Sequence, residues 1–250
     1  MTRARTGCRE AVIVFLKAPV PGRVKTRLMP RLEAEQAAAL YRAMAEDLLE
    51  RLDRLKTVDL LLWVTPAIKL ESMRRWLGMH RRLESQRGSD LGSRLTASFR
   101  TAFREGYERV VIVGSDVPQV TSKNVRTALS LLRKHDVVIG PSPDGGYYLI
   151  GLCKPRPELF TAMPWSTSRV LPETLRRFSR LGLTVGRLPR LADLDVPSDA
   201  RRLWRALLEQ RIRPSTMPRV SSALRSIFGA RQARASKPRK RRARPGSRIV

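Results

Sequence analysis

Short apolar runs alternate along the chain with longer segments whose apolar positions recur three or four residues apart. Ala11–Leu16, Val58–Val64, Val110–Gly114, Asp136–Gly140 and Tyr147–Leu152 read as strands, with a weaker one at Leu183–Leu188. Between the first two, Glu33–Leu55 places Leu40, Met44, Leu48, Leu52 and Leu55 on one face of a helix. Leu91, Leu95, Phe99 and Phe103 predict a second helix, and Val125, Leu129 and Leu132 a third behind Thr121 as N-cap. Ser198 is the expected cap of a last helix through Glu209, with Leu203, Trp204, Leu207 and Leu208 as its buried side. Strand and helix in alternation predict an α/β fold, with a mainly parallel central sheet flanked by helices.

Length and charge set the boundaries. The 250 residues suit one large α/β domain. A short extension at 1–10 precedes the expected catalytic domain at 11–210. Beyond Gln210 the composition turns to Arg, Lys, Pro and Ser, apart from an apolar patch at Leu224, Ile227 and Phe228. Residues 211–250 are therefore expected to form a basic, largely disordered tail, with 231–250 disordered. The net charge of +28 suggests nucleic acid at first sight, but residues 211–250 hold 13 Lys and Arg and no acid. Nearly half the excess thus lies outside the expected domain. That tail lacks interleaved aromatics and suits only nonspecific contact with polyanions.

Cys8 and Cys153 have no metal-ligand spacing and fit a reducing compartment. The first apolar run is too short for a signal peptide, and no stretch is long enough to span a bilayer, so no membrane contact and a cytoplasmic location are expected. His80 and His135 offer no paired metal spacing, and no serine sits in a Gly-x-Ser-x-Gly elbow.

The chemistry concentrates after the strands. Lys17-Ala18-Pro19-Val20-Pro21-Gly22-Arg23-Val24-Lys25-Thr26-Arg27 follows a strand apolar on both faces, at the end where open α/β sheets bind ligands. Two prolines stiffen this loop and Gly22 lets backbone amides approach an anion. Lys17, Arg23, Lys25 and Arg27 supply positive charge, and Arg27 can hold two phosphate oxygens at once. Val24 stands where a Walker A loop needs glycine, which excludes that motif.

Carboxylates complete the pattern. Asp116 follows the strand Val110–Gly114, and Asp193 and Asp195 share one face of an extended segment. Brought together, these acids would suit Mg²⁺ or Mn²⁺, which favour oxygen ligands and are commonly shared with substrate phosphates. Asp144-Gly145-Gly146-Tyr147 reads either as a strand reversal or as a wall of the substrate pocket, with Gly146 admitting a ligand and Tyr147 or Tyr148 stacking on a ring. Trp165 and Ser166 leave the same choice between pocket and structure.

In order, VIVFLKAPVPGRVKTRL, SDLGSRL, VVIVGSDVP, VVIGPSPDGGYYLIGL, PWSTSRV and DLDVPSD resemble the bacterial glycosyltransferase-like proteins of the DUF2064 type, some associated with arsenosugar biosynthesis. The resemblance covers residues 11 to about 209. A more distant similarity runs to guanylyltransferases of cofactor biosynthesis, which share the nucleotide-diphosphosugar transferase (GT-A) fold. The resemblance implies a Rossmann-like sheet whose first loop, Pro21 to Arg27 with Thr26, holds nucleotide phosphates. It also implies metal ligation by Asp116, Asp193 and Asp195, and a place for Asp90 along the nucleotide pocket. Ser89, Ser93, Val117 and Val196 depart from the usual Gly, Glu, Cys and Thr.

The expected activity is metal-dependent transfer of a sugar from a nucleotide-diphosphate sugar to a small acceptor, with Lys25 and Asp116 as catalytic residues. The alternative is nucleotidyl transfer, in which a phosphorylated acceptor attacks a nucleoside triphosphate and pyrophosphate leaves. Nucleic-acid binding through the tail is a third reading.

Overall fold

The computed structural model describes residues 9–235. Its elements run β1 (Glu10–Lys17), α1 (Ala34–Leu52), β2 (Asp59–Thr65), α2 (Leu70–Leu77), β3 (Arg82–Ser85), α3 (Leu91–Arg104), β4 (Arg109–Gly114) and α4 (Ser122–Leu131). They continue with β5 (Val137–Pro141), β6 (Tyr147–Leu152), α5 (Val170–Arg180), β7 (Val185–Arg187), α6 (Pro197–Leu208) and α7 (Pro218–Ala235).

The strands form one seven-stranded sheet in the order β3-β2-β1-β4-β6-β5-β7. β1 pairs parallel with both β2 and β4, in line with its central position. β6 is antiparallel to β4 and to β5, because the Ser142–Gly146 reversal is too short for a crossover. The sheet is therefore mainly parallel, as the alternating pattern predicts.

Successive residues of β1 face opposite sides, and both sides are covered. Val12, Val14 and Leu16 pack with Leu48 and Leu52 of α1 and with Val125 and Leu129 of α4. Ala11 and Ile13 pack on the other face with Leu95 and Phe99 of α3 and Phe178 of α5. At about 25 cal/mol per Å² of apolar surface, burial of such side chains is the main term holding helices to sheet. Thr121 caps α4 by accepting from the Asn124 backbone, and Asn124 reciprocates.

Four expectations change. α2 and β3 have no counterpart in the predicted elements. β3 is a short edge strand with only Leu83 buried, so it carries little apolar signal. α6 starts at Pro197, and Asp199 rather than Ser198 accepts from the Asp195 and Val196 amides. Leu208, expected on its buried side, is exposed.

The largest change is beyond Gln210. Val220, Leu224 and Ile227 of α7 pack with Leu40 and Met44 of α1 and Leu203 and Leu207 of α6. Asp47, buried on α1, accepts from the backbone amides of Arg219 and Val220 and caps α7. The apolar patch is thus the buried stripe of a helix, and the boundary expected at 210 is superseded. Residues 231–235, expected to be disordered, lie in α7, and 236–250 fall outside the described residues, as does Cys8.

Candidate active site

β1 and β4 are neighbours, but the chain leaves β1 towards β2 and β4 towards β5, in opposite directions along the sheet, and a crevice lies at their carboxyl ends. Lys17 ends β1, and Ser115 and Asp116 follow β4. Tyr41, fully buried on α1, ties the two ends together. Its hydroxyl accepts from the Lys17 amide at 2.7 Å and lies 2.8 Å from Ser115 Oγ. Burial, with the charge of Asp116, pushes the Tyr41 hydroxyl's pKa up and keeps it neutral.

The loop after β1 is anchored by Val24 and Leu28, both buried. Between them Lys25 adopts φ 51°, in the left-handed region that non-glycine residues seldom enter. Its side chain is only 3% exposed, and its Nζ stands 2.7 Å from Asp116 Oδ1 and 3.7 Å from Asp195 Oδ1. Arg27 Nη1 reaches Asp195 Oδ2 at 2.6 Å from the solvent side. The Leu194 amide donates to the Asp116 carbonyl at 3.0 Å, which fastens the late acidic segment to the end of β4. Asp193 Oδ1 accepts from Ser142 Oγ at 2.9 Å.

Two of these acids have displaced pKa values in opposite directions. Burial alone would raise that of Asp116, but the charge and hydrogen bond of Lys25, helped by Lys17, outweigh it and hold the carboxyl below its usual range. The Asp116 side chain is nevertheless 41% accessible, through the mouth of the crevice. Solvent screening there limits what the pair contributes to stability. Burial, reinforced by Asp144 and Asp116, pushes Asp193 up to about 6, although Ser142 and Lys25 oppose the shift.

A cavity of about 360 Å³ opens beside the pair. Lys17, Ser115, Asp116 and Asp193 line it, and Phe15, Leu91, Leu95 and Ile112 supply apolar wall. The remaining predicted residues divide. Tyr147 lines the cavity; Asp144, Gly145, Gly146, Trp165 and Ser166 stand outside its lining. Gly145 has φ 89° and backs onto the Ser168 backbone, where a Cβ would meet the carbonyl oxygen at 2.3 Å. Asp144 accepts from the Gly146 amide, and Trp165 packs edge-on against Tyr147. These residues shape the reversal and back the cavity wall. Pro21, Gly22, Arg23 and Thr26 are exposed along the loop.

Asp90 is the N-cap of α3, accepting from the Ser93 amide at 2.7 Å and from its hydroxyl at 2.9 Å, and it does not line the cavity. Its place along the nucleotide pocket is what the family resemblance implies; in the fold its carboxylate starts a helix. Sequence reasoning did not single out Tyr41, Thr65, Gln86 or Arg94. Tyr41 is buried beneath the crevice, and the other three line the cavity.

Among the described residues, no group of three or more His, Cys, Asp or Glu is arranged to hold a metal. Asp116 and Asp195 instead share the Lys25 ammonium, while Asp193 turns to Ser142. In donor type the site does fit Mg²⁺ or Mn²⁺: two carboxylates already surround one positive charge. Among the described residues no helix is long and apolar enough to cross a membrane.

Residues 48–167 match the family model described as "Uncharacterized protein conserved in bacteria (DUF2064)". A crystal structure from Desulfovibrio desulfuricans G20, provisionally assigned as a nucleotide-diphospho-sugar transferase, shares 36% identity and a TM-score of 0.80. That match covers 88% of this chain and 98% of the other. A 3-phospho-D-glycerate guanylyltransferase from Phenylobacterium zucineum (strain HLK1) is 30% identical over 70% of this chain and 82% of its own length. A 2-phospho-L-lactate guanylyltransferase from Methanocaldococcus jannaschii is 27% identical over 52% of this chain. The chain spans only 54% of the length of that archaeal relative. Both curated relatives are named for nucleotidyl transfer, which favours the second of the two expected transfers over the first. The fold is that of the nucleotide-diphosphosugar transferases, and the chain belongs to the DUF2064 family and is a transferase.

Proposed function

We propose that the protein is a nucleotidyltransferase that joins a nucleoside monophosphate unit to a small phosphorylated acceptor. The observation that carries this reading is the buried Lys25 of the first loop, held on Asp116 at the switch point of the sheet. A cation in that position is placed to meet the phosphates of a nucleotide entering the crevice. The choice of nucleotidyl over glycosyl transfer rests on the curated relatives named above.

In the reaction, an acceptor phosphate oxygen attacks the α-phosphorus of a nucleoside triphosphate. The new P–O bond forms as the bond between the α-phosphorus and its bridging oxygen to the β-phosphate breaks, and pyrophosphate leaves with the bonding electrons. A phosphate monoester, with a second pKa of about 6, is already largely dianionic at neutral pH, so no side chain has to deprotonate the nucleophile. Lys25 and Arg27 stabilise the charge that builds on the departing pyrophosphate, and Lys17 lines the same crevice. Asp116 and Asp195, relieved of Lys25 and Arg27, would hold a divalent cation, with Asp193 adjacent. Such an ion, when bound, neutralises phosphate oxygens. Tyr41 keeps the ends of β1 and β4 in register beneath the phosphates.

The test is product analysis with nucleoside triphosphates, Mg²⁺ and a set of small phosphorylated hydroxy acids. Pyrophosphate released in step with acceptor consumption supports the reading. Nucleoside diphosphate released from a nucleotide sugar, with no pyrophosphate from any triphosphate, would replace it with glycosyl transfer.

A further inference from the structure

We infer that Gln86 is a specificity-determining residue that reads the nucleobase, presenting a fixed acceptor to a ring N–H. The inference deepens the nucleotidyl-transfer reading and rests on a nucleotide entering the cavity beside Asp116.

Gln86 directly follows β3, and its backbone amide extends the pairing onto β2 by donating to the Val64 carbonyl at 2.9 Å. Its side chain leans across the strand ends. There Nε2 donates to the Trp63 carbonyl at 2.9 Å and to the Leu16 carbonyl at 3.3 Å. Both amide protons are thereby committed to backbone. Turning the amide over would set Oε1 against two carbonyl oxygens, so the two acceptors fix its orientation. Oε1 accepts from no other side chain or amide among the described residues, and Gln86 lines the cavity. The group shown to a ligand is therefore an acceptor with no donor to offer.

The surroundings suit a flat ring. Phe15, Leu91, Leu95 and Ile112 form apolar wall in the same cavity that Asp116 and Lys17 line with charge. Phosphates belong with the charged residues, and the base with the apolar wall and Gln86. Arg94 lines the cavity too, and its Nε is used by the Gly88 carbonyl, which leaves its terminal nitrogens to serve a base carbonyl.

A fixed acceptor discriminates by what it faces. A lactam edge, as in guanine or hypoxanthine, offers N1–H beside a carbonyl and complements Gln86 Oε1 and Arg94. Adenine offers a ring-nitrogen lone pair at N1, which Oε1 repels. A site that leaves one buried polar group unpaired loses on the order of tenfold to a hundredfold in affinity.

The experiment is isothermal titration of the full-length chain, in Mg²⁺, with GTP, ITP, ATP and 1-methyl-GTP. The expected result is that GTP and ITP bind at least about tenfold tighter than ATP and 1-methyl-GTP. In Gln86→Met, GTP and ITP should fall to the level of ATP while ATP itself is unchanged. If all four weaken equally in Gln86→Met, the residue only supports the strand ends and the inference fails. If wild type binds 1-methyl-GTP as tightly as GTP, it fails without recourse to any variant, which decides the matter even if Gln86→Met does not fold. Either result leaves nucleotide binding standing. Binding of none of the four by wild type would overturn the nucleotidyl-transfer reading together with the inference.

Discussion

Lys25 Nζ lies 2.7 Å from Asp116 Oδ1, and this contact joins the loop after β1 to the end of β4. Lys25 is buried and Asp116 is open to the crevice, so one partner is solvated and the other is not. The ammonium is shared by the carboxylates of Asp116 and Asp195. In the proposed reaction an incoming phosphate would compete with them for it, which would couple binding to chemistry at this pair.

Replacing Lys25 by Met should lower turnover by at least about a hundredfold, because the developing pyrophosphate charge loses its buried cation. Breaking a fully buried pair costs about 3–5 kcal/mol, but the exposure of Asp116 reduces the expected loss of stability to about 1–2 kcal/mol. Steady-state kinetics and denaturant melts on the same preparation separate the two effects. Turnover within a few-fold of wild type would remove Lys25 from the mechanism.

Asp116→Asn keeps the size of the side chain and removes its charge. Metal-dependent nucleotide binding should be lost while the circular dichroism spectrum stays that of wild type. Wild type stripped with EDTA should match the variant in titrations with a nucleoside triphosphate. Tight, Mg²⁺-dependent binding by the variant would rule Asp116 out as a ligand.

Asp193 gives a pH prediction whose sign follows from its environment. Burial pushes its carboxyl from the ordinary 3.8 up to about 6 in the folded chain. Stability tied to this group is fully present below the unfolded pKa and is lost as pH rises through the folded one. Asp193→Asn should therefore be more stable than wild type at pH 7.5, by about 1–3 kcal/mol, and the difference should shrink towards pH 4. The Ser142 hydroxyl can still donate to the amide oxygen. Melting temperatures of both proteins across that range check the sign, and a destabilised variant at pH 7.5 would contradict it.

α7 makes a prediction about stability alone. Leu224 is fully buried between α1 and α6, so Leu224→Ala should cost about 2–4 kcal/mol. Asp47→Ala removes the cap on the Arg219 and Val220 amides and should cost about 1–2 kcal/mol. Thermal melts at neutral pH measure both. Wild-type stability in either variant would mean that α7 does not hold to the domain.

The strands with strong apolar signals, β1, β2, β4 and β6, were legible because burial on both faces leaves uninterrupted runs. β3 was not, since this edge strand buries one side chain and carries Arg82, Glu84 and Ser85 on the rest. α7 was obscured by composition: Arg219 and Arg225 flank Val220, Leu224 and Ile227, and charge on the solvent face masked the apolar stripe. At the site, Lys25, Arg27 and Asp116 were readable from their positions after strands and Asp195 from its spacing to Asp193, and the fold brings them together. Asp90, placed at the nucleotide pocket by the family resemblance alone, caps α3. Gln86 carried no signal, since its role depends on the carbonyls of Leu16 and Trp63, which only the sheet brings within reach.

Nucleotidyl transfer breaks a bond at the α-phosphorus and glycosyl transfer breaks none there, so the fate of a label at that atom separates them most directly. With a nucleoside triphosphate carrying ³²P at the α position, Mg²⁺ and a phosphorylated acceptor, the label should move into an acceptor–nucleotide adduct as unlabelled pyrophosphate appears. Asp116→Asn should leave the label in the triphosphate. If wild type forms no labelled adduct with any acceptor, yet releases nucleoside diphosphate from a nucleotide sugar, nucleotidyl transfer is contradicted.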